Sequence, residues 1–255
     1  MIKFFRKIRQ NLLSEGKTGK YFKYAIGEIV LVIIGILIAL QLNEWNGQRI
    51  EIKNLNNNLE YIIEDLIVDK IQLLRLKSER QESVKICSNF IERYLRNQEI
   101  ILDFENDGLG SILYEKRFQR RVSGFEKVES SKLFQSPEYI PLREKIGEYA
   151  NEIDRLVYDE TRLNYFIEEM EREMFSNGSF DEIYERHREF QKYANNKSPL
   201  PELDLLEILK GKSAFKAILL RFEDDANRFL IPQYEKIEAV GNELKLEIEK
   251  YLSEK

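Results

Sequence analysis

The sequence predicts an all-α protein: a single N-terminal transmembrane helix that continues into a long helix, followed by an extracytoplasmic helical bundle. Three observations point there. Ile29 to Leu40 reads IVLVIIGILIAL, an unbroken run of 12 apolar residues. Gln48 to Asp107 holds neither Gly nor Pro over 60 residues, and its apolar residues recur at spacings of 3 and 4, the seam of a coiled-coil or bundle helix. No stretch alternates at period 2 among β-branched residues and turn signals, as a half-buried strand would.

The first element is a basic leader, residues 1–24. Ile2, Phe5, Ile8 and Leu12 share one helical face over residues 2–13, and Lys3, Arg6, Lys7 and Arg9 cover the rest. Such a helix lies in the membrane interface, where each basic residue near an anionic leaflet adds about 1 kcal/mol. A disordered basic leader that only sets topology is the alternative. Gly16 and Gly19 separate this segment from the next.

Residues 25–45 form the expected span. Ala25 to Leu42 counts 18 residues, about 27 Å as a helix and close to the roughly 30 Å hydrocarbon core of a bilayer. Length alone also fits a core helix. The flanks favour a membrane: Tyr21, Phe22, Tyr24 and Trp45 are placed where aromatic rings settle at headgroup level. Seven positives precede the span (Lys3, Arg6, Lys7, Arg9, Lys17, Lys20, Lys23) against one acid, Glu15. The positive-inside rule then keeps the N-terminus cytoplasmic and sends the rest across. A cleaved signal peptide fits poorly, since a cut after Ala39 would put Leu37 at −3. Glu28 is near enough to the cytoplasmic interface to reach back to water, Lys23 or Lys20. Gly27, Gly35 and Ala39 fall on one stripe, weak support for pairing of two spans.

Residues 46–255 are expected to be one periplasmic all-helical domain, about 210 residues and enough for its own core. Residues 1–43 carry 7 positives and 2 acids, leaving 33 positives and 43 acids, net −10, beyond them. That balance excludes the electrostatic footprint of nucleic-acid binding. Ile52, Leu55, Leu59, Ile62, Leu66, Leu73 and Leu76 keep the 3–4 seam, with Asp69 as the exception. The pattern blurs at Arg80 and Ser83 and resumes at Cys87, Phe90 and Tyr94. One helix from near Trp45 to near Asn97, about 80 Å long, is predicted, with a weak point at Asn56–Asn58. Cys87, the one cysteine, reads as a small buried hydrophobe; pairing between chains is the alternative.

Asp107, Gly108 and Gly110 mark a loop. Ser123 to Glu126 is an S-x-x-E capping box that opens a helix to about Phe134. Ser136-Pro137 opens the next, to about Phe175, and Asn177-Gly178 ends it. Further helices are expected over Ser179–Ala194, Glu202–Lys210, Ser213–Phe229 and, after Pro232, Gln233–Leu252, with a turn-rich linker at Asn195–Pro201.

Chemistry is sparse. His187 is the only histidine, with no E-x-x-H pattern for a di-metal site. Glu168, Glu169, Glu171 and Glu173 wrap around their helix as a solvated face. Gly211-Lys212-Ser213 lacks the earlier Gly and the strand of a phosphate loop, since Leu206 stands at the required position. No catalytic, cofactor or metal residue is therefore assigned, and the expectation is not an enzyme.

Tyr24 to Asn46, YAIGEIVLVIIGILIALQLNEWN, and its lead-in from Met1 resemble the signature of a family of single-pass envelope proteins of Bacteroidota, catalogued as a domain of unknown function. Phe125 to Tyr149, FEKVESSKLFQSPEYIPLREKIGEY, is similar to a later segment of that family; Lys132 stands where the family's glycine follows the paired serines. The resemblance implies an anchored helical architecture at the bacterial inner membrane and brings no known activity. The expected role is structural, interacting or sensor-like, although sensors of this kind commonly return through a second span. The alternative is a carboxylate- or metal-dependent envelope hydrolase. Expected partners are the lipid bilayer, a second copy through the membrane and stalk helices, and an unidentified protein.

Overall fold

A computed structural model describes residues 18–96, 110–178 and 213–254. Every regular element among them is helical and no strand occurs. The expectations for residues 2–13, 107–108, 179–210 and 211, with His187, lie outside the described residues. The chain divides into two units, Met1–Asn57 and Asn58–Lys255.

Helix α1, Thr18–Arg96, runs 79 residues without interruption. It is helical through Gly47, where a Cβ would meet nothing within 4 Å. In the first unit its most apolar 18-residue window has a mean hydropathy of 2.6 and none of it is buried. Leu31, Ile33 and Leu37 are each about half exposed or more, at 67, 49 and 58%. The helix is thus long and apolar enough to cross a membrane, and its apolar surface is not covered by the rest of the described chain.

The second unit is a bundle. Along α1 the buried seam starts at Leu55, in the last turn of the first unit, since Ile52 is 37% exposed. Leu59, Ile62, Leu66, Leu73, Leu76, Cys87 and Phe90 are buried. The expected exceptions are not breaks: Asp69, Arg80 and Ser83 are each 0% exposed. They keep the 3–4 spacing and point inward like their apolar neighbours.

Short helix α2, Gly110–Leu113, and α3, Ser123–Glu129, follow. The expected capping box does not form: α3 has no local side-chain cap. Instead Ser123 Oγ and the Gly124 N–H donate to Asp65 of α1 at 3.1 and 2.8 Å. One first-turn N–H, that of Gly124, is thus satisfied by a distant carboxylate, which the Ser123 hydroxyl also holds. α3 also stops at Glu129, before Phe134, which belongs to a separate 3₁₀ turn, Leu133–Gln135.

Ser136-Pro137 opens a second 3₁₀ turn, Pro137–Tyr139, that leads into α4, Ile140–Ser176. Pro141 sits in the first turn of α4, where a missing N–H is harmless. Asn177 caps its end, and Gly178 takes φ +70, as the motif predicted.

The expected break before Gln233 is absent. α5, Ser213–Asp225, passes through a π turn, Ala226–Leu230, straight into α6, Ile231–Ser253. Pro232 cannot donate to the carbonyl four residues back. The widened π turn relieves that mismatch, so the chain continues instead of ending.

Cross-element pairs define the packing. α6 lies antiparallel to α1, with Lys70 on Glu238 at 3.2 Å and Lys77 on Glu235 at 2.8 Å. It is also antiparallel to α4, through the Tyr139–Tyr251 hydroxyl pair at 2.7 Å, Lys145–Glu243 at 2.8 Å and Tyr234–Glu160 at 2.5 Å. Gly241 permits this crossing: a Cβ there would lie 3.0 Å from the Tyr149 ring.

Candidate functional site

The second unit concentrates its buried polar groups along one irregular segment. Residues 114–122 have no regular structure, yet Phe118 within them is only 4% exposed. A buried main chain without a ladder must find side-chain partners. α1 supplies most of them in reverse order along its length. Ser83 meets Ser111, Arg80 donates to the Lys116 carbonyl at 3.0 Å, and the Gln119 N–H donates to Gln72 at 3.3 Å. The Arg121 N–H donates to Asp69 at 3.0 Å, and Gly124 closes the series on Asp65. From α4, Glu160 accepts the Phe118 N–H at 2.7 Å and Asn164 donates to the Lys116 carbonyl at 3.3 Å. The segment is a strap laid antiparallel along α1.

The strap ends in a close approach. A Cβ on Gly124 would stand 2.5 Å from the Ile62 nitrogen and 2.7 Å from the Tyr61 carbonyl carbon. Only glycine lets α3 seat its first turn on the α1 backbone.

Electrostatics follow from this burial. Desolvation raises the Asp69 carboxyl above its usual range, although the Arg121 N–H, the Tyr149 hydroxyl at 3.0 Å and Arg120 oppose it. Desolvation likewise raises Glu160 against the bonds from Tyr234 and Phe118. Burial, with Arg80 beside it, lowers the Lys116 ammonium to about 8. Arg80 lies over the Phe222 ring at 5.4 Å, and its Nε and Nη1 have no hydrogen-bond partner. Arg120 covers Phe125 at 4.0 Å, where Phe125 stacks on Tyr149.

Lys116 Nζ lies 3.0 Å from Ser83 Oγ, the composition of a serine–lysine nucleophile pair. Its setting is structural. Ser83 is 0% exposed, and its hydroxyl donates to the Glu79 carbonyl at 2.8 Å. The Lys116 amine also donates to the Ser111 carbonyl at 2.8 Å. The pair closes the lower end of the strap, and Ser83, the nucleophile such a pair would need, has no open face to a substrate.

The residues weighed from sequence do not converge. Cys87 is fully buried, with its thiol pushed up by burial, so it packs as a small hydrophobe. In the acidic cluster Glu169 pairs with Arg172, and Glu171 is raised by burial and by Glu168. No group of three His, Cys, Asp or Glu residues among those described is placed to hold a metal. Sequence reasoning missed the strap and its holders. A signal existed: Asp69, Arg80 and Ser83 keep the seam spacing, and a polar residue on a buried seam needs a partner.

Protein-family models, curated proteins and solved structures, each searched, contain no match to this chain.

Proposed function

We propose that the protein is a membrane-anchored helical module of the bacterial envelope that works by binding a partner or relaying a state, not by catalysis. The observation that carries this is the apolar window of α1, whose residues have no cover in the described chain. Its segment 29–40 is apolar all round, which suits lipid and no aqueous surface. The seven-to-one basic excess ahead of it supports a cytoplasmic N-terminus and a periplasmic second unit. The likeness of residues 1–46 to the envelope family agrees.

The buried carboxylates and cations of the second unit are engaged in holding the strap, which favours an architectural role for them. The uninterrupted helix through Gly47 supports a relay, since no loop there would absorb a rotation or tilt. A homodimer through the membrane and stalk helices is the arrangement we infer, with an unidentified protein as the further partner.

Topology is the test. With Cys87→Ala as background, Ser253→Cys places a thiol at an exposed position near the C-terminus. A membrane-impermeant maleimide should label it once the outer membrane is opened. Labelling only after the inner membrane is lysed would overturn the orientation. For the relay, a flexible Gly-Ser insertion after Gly47 should change the cellular response and the dimer crosslinking. If both stay unchanged, only a passive tether is left.

A further inference from the structure

The strap carries the densest basic sequence of the outer part: Lys116, Arg117, Arg120 and Arg121 fall within six residues, in a region of net charge −10. Because the strap is extended, its side chains alternate. Arg117, Gln119 and Arg121 face solvent, while Phe118 is buried. Arg121 has no ion-pair partner among the described residues. Beside this row, Arg75 of α1, Lys116 and Arg117 line a cleft of about 310 Å³, together with Glu79 and Glu115.

The acids in the cleft are weak competitors for its cations. Arg75 reaches Glu79 at 3.8 Å with side-chain exposures of 65 and 41%. Arg117 pairs with Glu115 at exposures of 51 and 47%. Pairs so exposed contribute little and exchange readily. Arg80 is packed beside Lys116 and fully buried; its Nε and Nη1 have no hydrogen-bond partner, and Glu160 of α4 and the Tyr234 hydroxyl act on it. Two neighbouring cations in a desolvated setting favour an added negative charge. Guanidinium groups on two elements suit the forked geometry of an oxyanion.

We propose that this cleft binds a small oxyanion, a carboxylate- or phosphate-bearing molecule, held by Arg75 and Arg117 above Lys116. The site does not depend on which side of a membrane the unit occupies. The bound anion replaces Glu79 and Glu115 on the two arginines and offsets the repulsion between Arg80 and Lys116.

Calorimetric titration of the full chain in detergent micelles, at low ionic strength, tests this with inorganic phosphate and with glutarate as probes. Saturable binding of either is expected, and which one binds more tightly tells phosphate from carboxylate chemistry. Arg75→Gln with Arg117→Gln should weaken binding at least tenfold. Arg228→Gln, an exposed arginine paired with Asp224 at 2.7 Å, should leave it unchanged. The Lys116 amine, followed by nitrogen NMR, should titrate at higher pH in saturating probe than its free value of about 8. Absence of saturable binding, an equal loss in Arg228→Gln, or an unmoved Lys116 titration would each overturn the proposal.

Discussion

Two stretches of α1 use apolar residues in opposite ways. Over residues 29–40 they go all the way round the helix, and none is buried. Over residues 55–90 a seam returns at every third or fourth position and each of its members is buried, while Ile67, Val68, Ile71 and Leu74 beside it stay exposed among charged residues. The first pattern has no polar face to offer water. The second brings its own cover, because α3, α4, α5 and α6 pack on one side of it. One helix therefore carries two solvation problems, and their difference separates an uncovered apolar stretch from a bundle member.

The comparison breaks most sharply at the seam. Leu59→Ala, at a position with 0% exposure, should cost about 2–5 kcal/mol. Calorimetric melting of the second unit checks it. Leu31→Ala, at 67% exposure in the apolar window, should leave the same transition in place. Equal effects of the two would mean the regions are not different in kind.

Gly124→Ala comes next. The added carbon meets α1 main chain at 2.5 and 2.7 Å, and neither backbone atom can swing away. Overpacking of this sort costs about 1–3 kcal/mol, read as a lower urea midpoint. Gly47→Ala meets nothing within 4 Å and should be neutral or slightly stabilising, since glycine is a poor helix former.

Much of this architecture was legible. A 3–4 seam needs only spacing, and Leu55 to Phe90 kept it. Asn177-Gly178 signalled a helix end because few residues accept a positive φ. The strap was not legible, because its order comes from side chains far away in sequence. Ser123 looked like its own cap, yet its partner is Asp65. Pro232 looked like a helix start, yet a π turn absorbed it. Local rules identify which groups need partners; the bundle decides who supplies them. The cleft was hidden for the same reason, since Arg75 and Arg117 line it together only when the strap lies on α1.

Asp69 sharpens the polar side of the seam. Asp69→Ala leaves the Arg121 N–H and the Tyr149 hydroxyl without their acceptor, at about 1–3 kcal/mol. Asp69→Asn should lose less, because its amide oxygen still accepts from Arg121.

The pH dependence is the smallest effect. Asp69 and Glu160 have carboxyls raised by burial, so the folded state holds their protons more tightly than the unfolded state. Their contribution to stability grows as pH falls through the raised folded values, and is complete below the usual values of 3.8 and 4.5. Asp69→Asn with Glu160→Gln should remove that gain. The check is the change in urea midpoint from pH 7 to pH 5, which should be less favourable to the acid side in the double variant. An identical change in both proteins would show that burial does not act on these carboxylates as described.

The contrast within α1 is tested most directly by a cysteine scan from residue 25 to residue 76 of the membrane-embedded chain, in a Cys87→Ala background, with an impermeant maleimide. Positions 29–40 should be unreactive without exception. From residue 55 reactivity should oscillate: 55, 59, 62, 66, 69, 73 and 76 protected, with 60, 64, 67, 71 and 74 labelled. Labelling at alternate turns inside 29–40, or uniform labelling beyond residue 55, would contradict the account.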